Sequence, residues 1–432
     1  MGLTENFKAV LIAFMLISTL LMIFFAVSYF AGPSKPPPYS SSGYLKLPSP
    51  ETAQSLAITS MRSLEASGFT PLQEAELIEA SERLCWSFMS FKMATGEGVV
   101  YSTLRRGYGE SSDYGVNHEV TAESIGLLML YAVHIGDRAL FDREVLFLEE
   151  RLLSPLGICY WKLGEDLSPF RSHGYASSAS VDDLRIVEAL IQGYDLWDDG
   201  SYISLAGLMR DGIYMYEVDE ARRLLVDYYV WRDGRGEKAG ILTLSYAGLP
   251  ALLEMSRFDG RWRIVFNETL RIVLEGSAGP HQLFQARYDL KDRRYVDGSV
   301  DAIEELMIAL NLAEIGEDGR AGAIYSFFKD DYMRKGFISD RYTLTGIGSP
   351  SDAGVGAYSL LARLALKLVD LDLALKIIGE KILAVQDVDP SSSYYGAFMN
   401  QWPDTNKPDA NAYDNLQALL TLREAAEALR KP

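Results

Sequence analysis

Beyond residue 50 the 432-residue chain alternates two kinds of connection between helical segments, and this alternation constrains the fold more than any single motif. Apolar periodicity predicts helices near 51–67, 72–93, 121–135, 139–152, 182–196, 201–216, 244–257, 261–276, 300–315, 319–333, 353–368, 371–384 and 411–430. Brief turns at Gly68, Gly136-Asp137, Asp198-Asp199-Gly200, Asp259-Gly260 and Glu317-Asp318 join the members of each pair. Long segments, roughly 94–120, 153–180, 217–243, 277–299, 334–352 and 385–410, join one pair to the next. The helices after them recur every ~53–62 residues. Strand content is confined to short stretches such as Tyr228-Tyr229-Val230. A helical hairpin cannot bury its apolar face alone, so six of them stack openly or close into a ring. Every long connection falls at the same step of the repeat and should emerge at one end, which favours an all-α ring over residues 51–432.

Composition excludes several functions. With 41 basic and 59 acidic residues the net charge is −18, which leaves no basic surface for a phosphate backbone; nucleic acid is not an expected partner. Cys85 and Cys159 each lie among apolar residues and are expected as buried free thiols. His118, His134, His173 and His281 have no ligand spacing, so neither a metal site nor a cofactor is expected. Residues 9–31 contain no charge and are long enough to span a bilayer as one helix. The run is longer than a signal-peptide core, so it is expected as a retained anchor, with residues 1–8 as a short cytoplasmic N-terminus. Residues 32–50, with Pro-Ser-Lys-Pro-Pro-Pro-Tyr at 33–39, form a Pro/Ser-rich tether that would hold an outward-facing domain off the membrane. The sequon Asn267-Glu268-Thr269 agrees with that side.

The long connections hold Tyr101, Tyr108, Tyr114, Tyr160, Trp161, Tyr175, Tyr228, Trp231, Tyr288, Tyr295, Tyr394, Tyr395 and Trp402. In a ring they would pave one cleft, whereas the plainer reading has them packing their own loops. Carboxylates at the starts of inner helices point to the same mouth: Glu123, Asp182, Asp183, Asp301 and Asp352. Any one of these, taken singly, reads as a helix cap or a partner of the helix dipole. Together with an aromatic cleft, they suit glycosidic cleavage, which needs a protonated carboxyl at the leaving oxygen and an ionised one on the opposite face.

Here the residues resemble a known family. Thr121-Ala122-Glu123-Ser124-Ile125-Gly126 through Val133, followed by Gly136-Asp137-Arg138, is similar to the segment around the catalytic acid of glycoside hydrolase family 8. Trp161 sits as that family's cleft Trp does, and Ser178 to Arg185 resembles its Ala-Thr-Asp-Gly-Asp-Leu signature. Leu244-Ser245-Tyr246-Ala247 with Pro250 resembles its Pro-Ser-Tyr helix, and Val300-Asp301-Ala302-Ile303 its Tyr-Asp-Ala-Ile-Arg element. The resemblance implies an (α/α)6 barrel of six helical hairpins, which the uncharged run at 9–31 would precede with one N-terminal transmembrane helix. It also implies an inverting hydrolase of β-linked polysaccharide. Glu123 would be the general acid, Asp301 the general base, and Asp183 an accessory catalytic-site acid that orients sugar. Substrate contacts would come from Trp161, Tyr175, Asp182, Tyr246, Tyr114, Trp231 and Tyr295, with Tyr246 able to donate to a water held on Asp301.

Some positions depart from the family. Its first signature Asp falls on Val181, Asp182 stands where a Gly is expected, Val300 replaces the Tyr before the base, and Glu304 replaces an Arg. Glu119 is a second candidate for the acid. The competing functions are a catalytically inactive glycan-binding barrel, a polysaccharide lyase or sugar isomerase using His173 or Tyr175 as base, and a terpene cyclase. The last is disfavoured because Asp182-Asp183 lacks the further acid of a magnesium-binding motif and the net charge would repel diphosphate.

Overall fold

The computed structural model describes residues 70–106, 115–233, 235–296, 298–401 and 408–431. The anchor and tether, the helix near 51–67, Tyr108, Tyr114 and Trp402 lie outside them. Among the described residues no helix is long and apolar enough to cross a membrane. Twelve α-helices are described: α1 Pro71–Lys92, α2 Ala122–Ile135, α3 Arg138–Phe147, α4 Ser180–Trp197, α5 Gly200–Tyr216, α6 Leu249–Phe258, α7 Gly260–Glu275, α8 Ala302–Glu314, α9 Asp318–Lys335, α10 Val355–Lys367, α11 Leu371–Ile377 and α12 Ala412–Arg430.

Their packing closes a ring. Helices α2, α4, α6, α8, α10 and α12 each touch the next, and α12 returns to α2. Outside them α3, α5, α7, α9 and α11 pack on α2, α4, α6, α8 and α10 in turn, and α1 packs on α12. The architecture is therefore a helical barrel of six inner and six outer helices, as the alternating connections require.

In four of the short turns an Asp caps the outer helix that follows; before α9 the N-cap is Glu317, whose side chain makes no cap bond. The carboxyl oxygens of Asp137, Asp199, Asp259 and Asp370 accept from Leu140 N, Ser201 N, Arg261 N and Leu373 N at 3.0, 3.0, 2.9 and 3.2 Å. A cap needs only one residue before the first turn, so the chain reverses at once. Helix α1 starts on a reciprocal box in which Thr70 and Gln73 cap each other's backbone, with Pro71 in its first turn.

The predicted 244–257 helix divides in two. A 3-10 turn, Leu244–Ala247, meets α6 at Gly248, whose φ of 49° lies in the left-handed region. A side chain there would strain the backbone and also strike Leu184 Cδ1 at 2.6 Å. The predicted 139–152 and 371–384 helices end in π turns at Leu148–Leu152 and Ile378–Ile382. More of the chain is strand than the sequence suggested. The long connections form short antiparallel ribbons, including Val120–Thr121 with Lys162–Leu163, and Ser299–Asp301 with Arg341–Thr343.

These ribbons deliver the connections to the ends of the inner helices. The first N–H of the inner element bonds to a connection carbonyl at five points: Ala122 to Trp161, Ser180 to Asp227, Leu244 to Ala286, Ala302 to Asp340 and Ala412 to Ser102, at 2.8–2.9 Å. Orphan helix donors are thus satisfied by loop backbone, which gathers the long connections around the N-terminal ends of the inner helices. That end is the mouth. Both cysteines are free and buried, as expected.

Candidate active site at the barrel mouth

Glu123 stands in the first turn of α2, which Thr121 caps by accepting from Ser124 N at 3.1 Å. Trp161 adjoins it, because its carbonyl receives the Ala122 N–H. The Glu123 side chain is partly exposed and hydrogen-bonds no described residue. Burial is the chief reason its carboxyl is pushed up to about 7, with the Asp182 and Asp414 carboxylates adding to the rise and Arg185 opposing it. Burial therefore prevails over the helix dipole, which by itself would favour the anion.

Asp301 faces opposite demands. As the N-cap of α8, its Oδ1 accepts from Ile303 N at 2.9 Å and Glu304 N at 3.3 Å. Its Oδ2 lies 3.7 Å from Arg341 Nη2, beyond a hydrogen bond, and the side chain is about one-third exposed at 32%. One oxygen is fixed by backbone and the other is available to a water. Val300, just before it, is buried and pairs with Tyr342 across the ribbon.

Tyr413, in the first turn of α12, lies within electrostatic reach of both acids, its hydroxyl donating to Met307 Sδ at 3.8 Å. Burial pushes its phenol up, and the charges of Glu123, Arg185, Asp414 and Asp301 all reach it, the carboxylates raising it and Arg185 lowering it. Tyr246 sits on the 3-10 turn within reach of Asp182, Asp227, Glu123 and Glu304. Glu123, Asp182, Tyr246, Asp301 and Tyr413 therefore share one mouth. The sequence reading missed Tyr413, although its place just after a cap on an inner helix is the signal used for the acids.

Asp183 is placed elsewhere. It is wholly buried; its Oδ1 accepts from Cys159 N at 2.8 Å and its Oδ2 has no hydrogen-bond partner among the described residues, with the equally buried Glu217 carboxyl nearby. Burial pushes both carboxyls up, and neighbouring charge within the Asp182–Asp183–Glu217 cluster adds to the rise. Asp183 anchors the first turn of α4 to the 153–161 segment and the end of α5, and it does not open on the cleft. Its neighbour Asp182 does the facing, because successive helix residues turn by about 100°.

Glu119 is also structural. Its Oε1 receives Lys162 Nζ at 2.8 Å and its Oε2 the Val116 N–H at 2.6 Å, in a site where Lys162 is fully buried against the Trp161 and Phe170 rings. Both oxygens are taken, so Glu123 remains the better acid.

The aromatics divide as well. Trp161 and Tyr246 are partly exposed and Tyr175 is exposed. Trp231 is buried, stacked between Tyr160 at 5.5 Å and Tyr229 at 6.0 Å, and so packs its own loop. Tyr295 donates to Ile272 O at 2.6 Å and packs edge-on against Tyr288, which ties it to the end of α7. Asp352, the remaining acid, is held by Lys381 at 2.9 Å and by the Tyr358 hydroxyl. No group of metal-ligating side chains occurs among the described residues.

Residues 109–397 match the family model described as glycosyl hydrolases family 8. No curated protein matches the chain significantly. Among solved structures, an alpha-amylase from Clostridium perfringens is 25% identical with a TM-score of 0.71, over 80% of this chain and 97% of that one. The endoglucanase Cel10 of Klebsiella pneumoniae, a family 8 glycosyl hydrolase, is 16% identical over 79% of this chain and 99% of its own, with a TM-score of 0.56. The endo-beta-1,4-glucanase CMCax of Acetobacter xylinum is 19% identical over 81% and 99%, also at 0.56.

Proposed function

Because the chain belongs to family 8 of the glycosyl hydrolases, we propose that it hydrolyses a β-linked glucan with inversion, Glu123 giving the proton and Asp301 activating the water. One observation carries this reading: the two acids lie at one mouth in opposite settings. Glu123 is raised by burial toward a protonated form, and Asp301 has one oxygen fixed by backbone and one left to orient water. In one step, Asp301 takes a proton from water as the water oxygen bonds the anomeric carbon, and the C–O bond to the leaving group breaks as Glu123 protonates that oxygen. Inversion requires carboxyl groups about 6.5–9.5 Å apart, with a water between the base and the sugar. Trp161, beside Glu123, supplies a stacking face for the sugar, and Tyr246 a hydroxyl for the water or the ring. The endoglucanase neighbours support the β-glucan assignment.

The alpha-amylase neighbour favours a second reading, an α-linked glucan cut by the same acid and base. The test is a screen of β-glucans, xylan, chitosan and soluble starch, followed by NMR of the first product's anomeric configuration. Inverted product from a β-glucan supports the proposal; turnover of starch alone transfers it to the second reading. Retention, or near wild-type rates in Glu123→Gln and Asp301→Asn, removes the mechanism. No turnover of any glycan, with binding retained, returns the chain to the inactive binding barrel.

We further propose that residues 9–31 anchor the enzyme in a membrane with the barrel outside, the uncharged span and the Pro-rich tether being the support. The chain should fractionate with membranes, and protease cutting between Gly32 and Pro50 should release the barrel. Recovery of a mature chain beginning near Tyr29 would mean the span is a cleaved signal.

A further inference from the structure

Arg185 crosses from α4 to α2 beneath the proposed acid. Its Cγ and Cδ would both lie 3.2 Å from a Cβ placed on Gly126, so the arginine stem lies against α2 where that helix has no side chain. Gly126 is three residues after Glu123 and therefore on the same helix face, one turn below it. At its other end the guanidinium meets Asp182, Nη1 to Oδ1 at 2.7 Å, with side-chain exposures of 10% for Arg185 and 8% for Asp182. An ion pair this deep leaves a costly uncompensated charge when one partner is removed. Glu123 is within electrostatic reach of both members, which act on it in opposite senses.

The other charged and titratable groups facing Glu123 are Tyr413 and Asp414 on α12 and Tyr246 on the 3-10 turn. Asp414 already accepts from Gly356 N at 3.0 Å and from Asn411 Nδ2 at 2.7 Å. Glu188, the other carboxylate near Arg185, lies one helical turn further along α4. The Asp182–Arg185 pair is thus the close ion pair beside the acid.

We propose that Asp182 and Arg185 are positioning residues that act as one unit on Glu123: Asp182 occupies the guanidinium that would otherwise pair with the acid, and Arg185 neutralises the anion that would otherwise stand against it. The inference rests on the reading of Glu123 as general acid. It also explains two features together: an aspartate where the family resemblance leads one to expect glycine, and an arginine stem laid over a glycine of the next helix. Asp182→Asn releases the guanidinium toward Glu123 and stabilises its carboxylate, so the protonated, proton-donating form survives only at lower pH. Changing both residues, Asp182→Asn with Arg185→Met, removes both influences and leaves burial in charge.

The experiment uses the full chain in detergent. The alkaline limb of kcat/KM, and separately the 13C titration of the Glu123 carboxyl, are recorded for wild type, Asp182→Asn and the double variant. The position of the limb is the readout, not its height. The expected result is a downward move of about one pH unit in Asp182→Asn, a tenfold loss of the protonated fraction above the limb, with the double variant returning to within a few tenths of a unit of wild type. A limb unmoved in Asp182→Asn, or moved equally in the double variant, overturns the proposal. So does a rise in KM with the limb in place, which would make Asp182 a sugar contact only. The carboxyl titration decides the matter even if no substrate is found. Failure of the underlying reading has a different signature, namely undiminished turnover in Glu123→Gln.

Discussion

Glu144 lies on α3, completely buried and away from the mouth, where stability can be changed without touching the proposed chemistry. Its Oε1 is approached by Arg143 Nε at 3.3 Å and Nη2 at 3.4 Å, and its Oε2 has no hydrogen-bond partner among the described residues. Burial is the dominant influence and pushes the carboxyl from 4.5 up to about 7, with Arg143 only partly opposing it. The folded state therefore holds this proton more tightly than the unfolded chain does. The stabilisation is complete below pH ~4.5 and drains away as pH rises through ~7. Two and a half pKa units at about 1.36 kcal/mol each make this about 3 kcal/mol. Glu144→Gln keeps the shape and cannot ionise. It should match wild type within about 1 kcal/mol at pH 4.5 and exceed it by about 3 kcal/mol at pH 8. The assay is urea unfolding of the compact unit Lys46–Pro432 at pH intervals from 4.5 to 8, followed by tryptophan fluorescence. Parallel stability profiles for the two proteins would refute the reasoning, because they would mean that the native carboxyl is solvated or already ionised.

Other expectations follow from the same structure. Glu123→Gln and Asp301→Asn should each cost several orders of magnitude in kcat with glycan binding largely kept, measured by steady-state kinetics and by binding of an unhydrolysed oligosaccharide. Asp183→Asn should change the pH dependence of unfolding and leave KM near wild type, since Asp183 touches Cys159 and Glu217 rather than the cleft; a several-fold rise in KM with unchanged stability would contradict this. Lys162→Met leaves Glu119 buried without its cation and should destabilise by about 3–5 kcal/mol, read as a shift in urea midpoint. Trp161→Ala should raise KM far more than it lowers kcat, since it removes a stacking face and no proton-transfer group.

What the amino-acid order determined by itself was whatever depends on local periodicity and spacing. Helix placement follows from apolar residues on one face, and the alternation of short and long connections makes an open stack wasteful, so the ring was legible before any packing was seen. The turns at Asp137, Asp199 and Asp259 were legible for the same reason, since an Asp before a helix caps it wherever the chain goes, whereas Glu317 makes no such cap and the capping Asp370 was not singled out. The end of the barrel at which Glu123 and Asp301 sit was also readable, because the start of an inner helix lies at the mouth, but whether a carboxyl placed there turns to the cleft or into the packing, as Asp183 does, was not. The ribbons were not readable: two-residue strands such as Val120–Thr121 are too short to show a period, and they exist because inner-helix N–H groups need carbonyl partners. Nor could spacing separate Asp182 from Asp183. Adjacent residues of one type on one helix look alike in sequence, and only the packing of Cys159 and Glu217 under one, and of Arg185 against the other, decides which is buried. Trp231 and Tyr295 turned inward for a similar reason, Tyr160 and Ile272 reaching them from other segments of the chain. Tertiary structure alone set the upward shift of the Glu123 carboxyl, because burial is a property of the whole mouth rather than of the residue that titrates.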